Sequence, residues 1–243
     1  MSNGNGGGIT TAMLMAAGLG KRMRPLTATR PKPLVKVAGK ALIDHALDRL
    51  QAGGIETVVV NVHYLADTVE AHLRARHLPM RLLISDERSQ LLETGGGLMK
   101  ARELLGDQAF LCANSDNLWI DGPRDSIALL RDLWDDDRMD ALLLLVPHAR
   151  ATCHNGPGDF HMDAMGKLSR RRPGRVAPFV FTGVQILSPR LLVDPPGPAF
   201  STNVLWNRAI AAGRAYGVSH QGLWFDVGTP QAIPVVEADL RHG

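Results

Sequence analysis

Residues 11–17 (TAMLMAA) form an apolar run without alternation, which feeds a long loop at residues 18–33 and then a stretch of helical periodicity. A strand that shows no apolar/polar alternation is buried on both faces, as strands are in parallel sheets covered by helices. At residues 42–53 the apolar positions Leu42, Ile43, Ala46, Leu47 and Leu50 follow helical spacing, and Gly53 with Gly54 supplies a stop. A β-branched run at 56–62 predicts the next strand. Helix, strand, helix and strand are then predicted at 66–76, 81–85, 97–105 and 109–113. Such β-α-β-α-β-α-β alternation is the signature of an α/β domain with a mainly parallel sheet.

The pattern continues with a helix at 126–134, an acidic turn at 135–137 and a strongly apolar strand at 141–146. Residues 156–175 are rich in Gly, Pro and Arg and lack helical periodicity, and 179–187 read as a strand. This stretch is too short for a core of its own and is expected to be a β-rich insertion. A helix at 201–212 with Ser201 as N-cap, a short strand at 223–227 and a helix at 230–240 with Pro in its first turn complete the expectation. Residues 1–9, which include SNGNGGG, read as a disordered lead-in without the basic and apolar regions of a secretory signal. Residues 10–243 are expected to form one domain, with a first half at 10–120 and a second half at 121–243.

Two cysteines, Cys112 and Cys153, are too few for a disulfide framework and lack zinc spacing, so a reducing cytoplasm is the expected setting. No apolar run approaches the roughly 18 residues that a membrane helix needs. The net charge is +3, and only 5% of residues are aromatic, which argues against a nucleic-acid binder. The charge is unevenly spread. Residues 21–40 carry seven of the 27 basic residues (Lys21, Arg22, Arg24, Arg30, Lys32, Lys36 and Lys40) and no acidic one. A charge run is ordinarily a solvated face. This one is interleaved with Gly and Pro and directly follows a strand, where a phosphate site would sit.

The loop begins Ala16-Ala17-Gly18-Leu19-Gly20-Lys21-Arg22-Met23. A dinucleotide fingerprint would need a third glycine at Met23, and a Walker A loop would need different spacing with Gly-Lys-Ser or Gly-Lys-Thr. What remains is a phosphate cradle. Small residues let backbone N–H groups approach anionic oxygens, and Arg22 with Lys32 supplies positive charge where a phosphoryl transition state develops negative charge.

The run AAGLGKRMRPLTATRPKPLVKVAGKALI closely resembles the N-terminal signature of sugar-1-phosphate nucleotidyltransferases, with Gly18, Gly20, Arg22, Pro25, Leu26, Thr27 and Pro31-Lys32-Pro33 in order. Lys21 departs from the Thr of many members. The resemblance extends from Ala12 to about Ala238. It implies a Rossmann-like nucleotidyltransferase fold, three-layer α/β/α with a mixed, mainly parallel sheet and a small β-rich insertion. The implied reaction is NTP plus sugar 1-phosphate giving NDP-sugar and pyrophosphate, with Mg²⁺ as cofactor and neither nucleic acid nor membrane as partner.

Carried over residue by residue, Arg22 and Lys32 are the catalytic cations. Ala16, Ala17, Gly18, Gly20 and Lys21 hold the nucleotide, and Glu93, Gly95 and Gly96 of LETGGG contact its base or ribose. Asn61 and His63 lie near the base by analogy, although His63 equally suits a polar strand end. Asp116 of Asn114-Ser115-Asp116 and Asp226 of WFDVGT match the family's two metal-binding Asp, and Ser115 stands where the family usually has Gly. Asn114, Asp159, Thr182 and Gly183 are assigned to the sugar. The five basic residues between 167 and 175 read mainly as an exposed loop, with a role on acidic groups of the substrate left open.

Within the family, LETGGG, GDF and FTG in a compact chain look most like the N-acetylmuramate-1-phosphate uridylyltransferases of cell-wall recycling, so UTP is the favoured nucleotide. Mannose-1-phosphate guanylyltransferase-like enzymes come next, then glucose-1-phosphate thymidylyl- or uridylyltransferases. A nucleotide-sugar-sensing regulatory subunit on the same fold is the alternative outside catalysis. It is disfavoured because such subunits tend to lose the loop Arg or a metal Asp, and Arg22, Lys32, Asp116 and Asp226 are all present.

Overall fold

The computed structural model describes residues 8–242, so most of the expected lead-in lies outside the described residues. Ile9, which that lead-in included, is buried in the core. In chain order the strands and helices are β1 (Thr11–Met15), β2 (Lys36–Val37), β3 (Lys40–Ala41), α1 (Leu42–Ala52), β4 (Thr57–Val62), α2 (Ala66–Ala75), β5 (Arg81–Asp86), α3 (Glu93–Leu105), β6 (Phe110–Asn114) and β7 (Asn117–Ile120). There follow α4 (Ser126–Leu133), β8 (Ala141–Pro147), β9 (Phe160–Met162), β10 (Leu168–Arg170), β11 (Phe179–Leu187), α5 (Asn203–Ala211), β12 (Ala215–Ser219), β13 (Leu223–Asp226) and α6 (Ala232–His242).

Nine strands make one mixed sheet. β5, β4, β1 and β6 run parallel, β11 pairs antiparallel with β6, β9 and β8, and β12 lies parallel to β8. β1 is wholly or largely buried along its length because apolar clusters cover both sheet faces. Leu14, Val60, Leu111 and Leu47 of α1 pack on one face, and Met13, Val59, Cys112 and Leu98 of α3 on the other. The unalternating TAMLMAA run is thus accounted for. The chain leaves β1 toward β4 and β5 on one side and returns to β6 on the other. The carboxyl ends of β1 and β6 therefore form a switch point, where a crevice opens in sheets of this kind.

β7 and β13 form a separate antiparallel ribbon with Trp119 opposite Trp224 and Asn117 opposite Asp226. Sequence periodicity does not predict β7, β12 or the β9–β10 hairpin inside the Gly- and Arg-rich stretch. Helix α3 begins at Glu93 rather than at 97, so the glycine run lies inside its first turns. Helix α5 starts after Thr202, which makes no capping bond, while the Ser201 hydroxyl accepts from the Asn203 N–H at 3.2 Å. Among the described residues no helix is long and apolar enough to cross a membrane.

Candidate active site

The loop after β1 is closed on itself by its own hydrogen bonds. Gly20 sits in the left-handed region at φ 61°, and its carbonyl accepts from the Met23 N–H at 2.9 Å and the Thr27 hydroxyl at 2.8 Å. The Tyr64 hydroxyl reaches over from the end of β4 to the carbonyls of Thr27, at 3.1 Å, and Ala28, at 3.0 Å. A β-carbon at Gly20 would lie 3.0 Å from the Lys32 Cβ, so this glycine lets the start and the end of the loop meet. Lys32 is buried with 8% exposure, and its Nζ bonds Asp116 Oδ2 at 2.6 Å. The basic loop and the β6–β7 turn are therefore joined through one ion pair.

Ser115, which stands where the family usually has Gly, is accommodated. Its backbone N–H and its hydroxyl both donate to the Met15 carbonyl, at 3.1 and 2.8 Å, and tie the end of β6 to the end of β1. Asp226 is brought to the same place by the β7–β13 register, which puts it opposite Asn117. Its Oδ2 is 3.6 Å from the His154 Nδ1. A β-carbon at Gly228 would lie 2.9 Å from Asp226 Oδ1 and 3.1 Å from Arg22 Nη1, so guanidinium and carboxylate flank one backbone position.

Three cavities meet here, and Asp116 lines all of them. The first, about 400 Å³, lies between the ends of β1, β4 and β6 and the start of α3. Ala16, Ala17, Gly18, Asn61, Glu93 and Asn114 are among its walls. The second, about 390 Å³, is lined by Gly18, Gly20, Lys21, Arg22 and Lys32. The third, about 270 Å³, opens toward the second half of the chain, where Asp159, Phe181, Asn203 and Trp206 face Arg22 and Asp226.

The residues expected at the nucleotide do not all turn to the first cavity. Asn61 is buried, accepts the Ala16 N–H at 2.7 Å and donates to Glu87 Oε1 at 2.8 Å. Glu87 is fully buried, its Oε2 has no partner, and burial pushes its carboxyl above the ordinary glutamate range. His63 binds the Glu87 carbonyl through Nδ1 at 2.7 Å, the strand-end role. Gly95 and Gly96 face away from the cavity. Their N–H groups donate to the Phe200 carbonyl at 2.8 and 3.0 Å, and β-carbons there would strike Phe200 and the Pro198 carbonyl at 2.5 and 2.3 Å. The glycine run is required for close packing, and Glu93 and Thr94 form the wall instead.

Among the residues expected at the sugar, Asn114 and Asp159 line the third cavity, and Asp159 Oδ2 also accepts the Phe181 N–H at 2.9 Å. Thr182 is buried and its hydroxyl donates to the Leu144 carbonyl at 2.8 Å, away from the cavity. Its own carbonyl holds Asn117 Nδ2 and Trp224 Nε1, both at 2.8 Å. Gly183 packs against the Asn114 and Asn117 amides where the β11 register shifts. Glu87, Asn117, His154, Asn203 and Trp206 had no local signal in the sequence.

Asp116 and Asp226 offer hard carboxylate oxygens, with side chains 34% and 23% exposed into the third cavity. That donor set suits Mg²⁺, which is held by one or two carboxylates and completed by water and phosphate oxygens. Among the described residues no group of three or more His, Cys, Asp or Glu gathers as a metal site built from protein ligands alone.

Residues 11–154 match the family model described as Nucleotidyl transferase. The chain is 50% identical over 234 residues to the N-acetylmuramate alpha-1-phosphate uridylyltransferase of Caulobacter vibrioides, covering 95% of this chain and 97% of that protein. It is 35% identical over 221 residues to the enzyme of the same name from Neisseria meningitidis serogroup B, covering 90% and 93%. In fold it is similar to a UDP-glucose pyrophosphorylase solved with UDP-glucose, with a TM-score of 0.78 at 16% identity over 96% of this chain and 99% of that one. The chain therefore belongs to the nucleotidyl transferase family and is a sugar-1-phosphate nucleotidyltransferase.

Proposed function

We propose that the enzyme transfers a uridylyl group from UTP to N-acetylmuramate 1-phosphate, releasing pyrophosphate and forming UDP-N-acetylmuramate, in the cytoplasm as a step of cell-wall recycling. The observation that carries the site assignment is the meeting of three cavities at Asp116, with Lys32 and Arg22 on the phosphate side. The substrate assignment is supported by the names of the two relatives at 50% and 35% identity.

In this reading the base and ribose occupy the cavity walled by Asn61 and Glu93, the triphosphate lies along Gly18 to Arg22, and the sugar enters beside Asn114, Asp159 and Phe181. The halves 10–120 and 121–243 then contribute chiefly to nucleotide and sugar respectively. The sugar phosphate is already an anion, so its oxygen attacks the α-phosphorus in line without a general base or a covalent intermediate. Lys32, held rigid by burial and by Asp116, neutralises the attacking and α-phosphate oxygens. Arg22 stabilises the β- and γ-phosphates as pyrophosphate leaves. Mg²⁺ held by Asp116 and Asp226 would supply further charge neutralisation on the phosphates. The Asn61–Glu87 pair fixes the Ala16 N–H at the cradle's start.

The test is a pyrophosphate-release screen of UTP, GTP, CTP and dTTP against a panel of sugar 1-phosphates that includes N-acetylmuramate 1-phosphate. Highest kcat/KM for UTP with N-acetylmuramate 1-phosphate is expected. Activity with GTP and mannose 1-phosphate and none with UTP would overturn the substrate reading.

A further inference from the structure

Beside the third cavity stands a guanidinium whose polar partners are all neutral. Arg170 closes β10 and lies over two aromatic rings, its Cζ 4.8 Å from the Phe160 centroid and 5.2 Å from that of Trp206. Its Nε donates to Asn207 Oδ1 at 2.9 Å, and Nη2 donates to Asn203 Oδ1 at 2.7 Å and to the Asn203 carbonyl at 3.2 Å. Among the described residues no carboxylate pairs with it and Nη1 has no protein acceptor. Asp159 acts on it only as a longer-range attraction, and burial outweighs that and pushes its pKa below the ordinary arginine value.

A fixed, half-buried cation without a counter-ion is prepared for an anion, because stacking and side-chain bonds have already removed most of its conformational freedom. Two of the residues that hold Arg170 are themselves cavity walls, since Asn203 and Trp206 both line the third cavity. The other basic side chains there are committed elsewhere. Arg22 stands by Gly228 on the phosphate side, and His154 is 3.6 Å from Asp226. Arg171, the next residue along, spends its donors on the carbonyls of Gly158, Arg172 and Arg175 and so shapes its own loop. The arrangement calls for a sugar phosphate with a second acidic group, remote from the phosphate.

N-acetylmuramate has such a group. It is N-acetylglucosamine with a lactyl ether on O3, and the lactyl arm ends in a carboxylate. We propose that Arg170 binds the lactyl carboxylate of N-acetylmuramate 1-phosphate and thereby selects this acidic sugar over its neutral parent. The inference rests on the substrate reading above and adds the residue that enforces it.

Steady-state kinetics of the wild type, Arg170→Gln and Arg170→Lys with saturating UTP, run on N-acetylmuramate 1-phosphate and on N-acetylglucosamine 1-phosphate, test it. Where the neutral sugar turns over too slowly, its inhibition constant against the acidic one serves. A charge-assisted bond of this kind predicts that the preference for the acidic sugar falls by about 10- to 100-fold in Arg170→Gln. The loss enters through KM for N-acetylmuramate 1-phosphate, with kcat changed less than about threefold. Arg170→Lys, which keeps the charge without the planar fork, falls in between. If Arg170→Gln preserves the preference, or weakens both sugars equally as a loosened fold would, Arg170 is not the carboxylate receptor. If the wild type ignores N-acetylmuramate 1-phosphate and uses another pair, the substrate reading fails and takes the carboxylate role with it.

Discussion

Lys32→Met separates the structural and the chemical contributions of the central ion pair. The Lys32 side chain is only 10% exposed, and Met fills nearly the same volume, so no large cavity opens. Its partner Asp116 is 34% exposed and keeps access to water when the ammonium is removed. For a pair with one solvated member the stability loss is therefore about 1 kcal/mol or less. The chemistry is hit far harder. A buried, preorganised cation aimed at developing charge contributes about 3–4 kcal/mol to the transition state, or roughly 100- to 1,000-fold in kcat. Pyrophosphate release at saturating substrates gives kcat, and urea unfolding gives stability on the same preparation. A fall in kcat of about two orders of magnitude or more with stability nearly unchanged is expected. A kcat within about threefold of wild type would refute a role for Lys32 at the reacting phosphate.

Gly20→Ala should cost about 1–2 kcal/mol from the left-handed backbone alone. It should also lower kcat, because the added methyl would sit 3.0 Å from the Lys32 and Thr27 side chains; loss of stability with kcat intact would detach Gly20 from Lys32 placement. The raised carboxyl of buried Glu87 contributes stability that is fully present below the ordinary glutamate pKa of about 4.3 and is lost as pH rises through the elevated value. The stability of wild type relative to Glu87→Gln should accordingly fall in urea titrations as pH rises above the ordinary glutamate range, and a flat difference would contradict a buried, titrating Glu87. Cys112 is completely buried, with its thiol pushed up to about 12, whereas Cys153 is partly exposed. Alkylation at pH 8 followed by peptide mapping should modify Cys153 first and Cys112 only as the chain unfolds; equal rates would be incompatible with this core.

The closed loop after β1 was legible because its residues are local. Gly20, Arg22 and Lys32 lie within a dozen or so residues, and the strand before them announces itself by an unbroken apolar run. The convergence of Asp116 and Asp226 depends on the β7–β13 ribbon, whose pairing of Trp119 with Trp224 joins segments about a hundred residues apart. No periodicity reports such a pairing. The glycines after Glu93 were misplaced for a related reason. Low helix propensity marks them as loop, yet tertiary packing overrides it, since Gly95 and Gly96 must let Phe200 and Pro198 approach. Asn203 and Trp206 reach the third cavity only through the packing of α5 on the sheet, and on the sequence they read as ordinary helix positions.

Coupled conversion of UTP and N-acetylmuramate 1-phosphate at one site is read directly by ³¹P NMR of a single reaction containing enzyme, both substrates and Mg²⁺. Both substrates are expected to disappear in equal amounts, matched by equal amounts of pyrophosphate and of the paired phosphorus signals of UDP-N-acetylmuramate. UTP consumed while the sugar phosphate persists, or both left intact alongside turnover of another nucleotide–sugar pair, would contradict it.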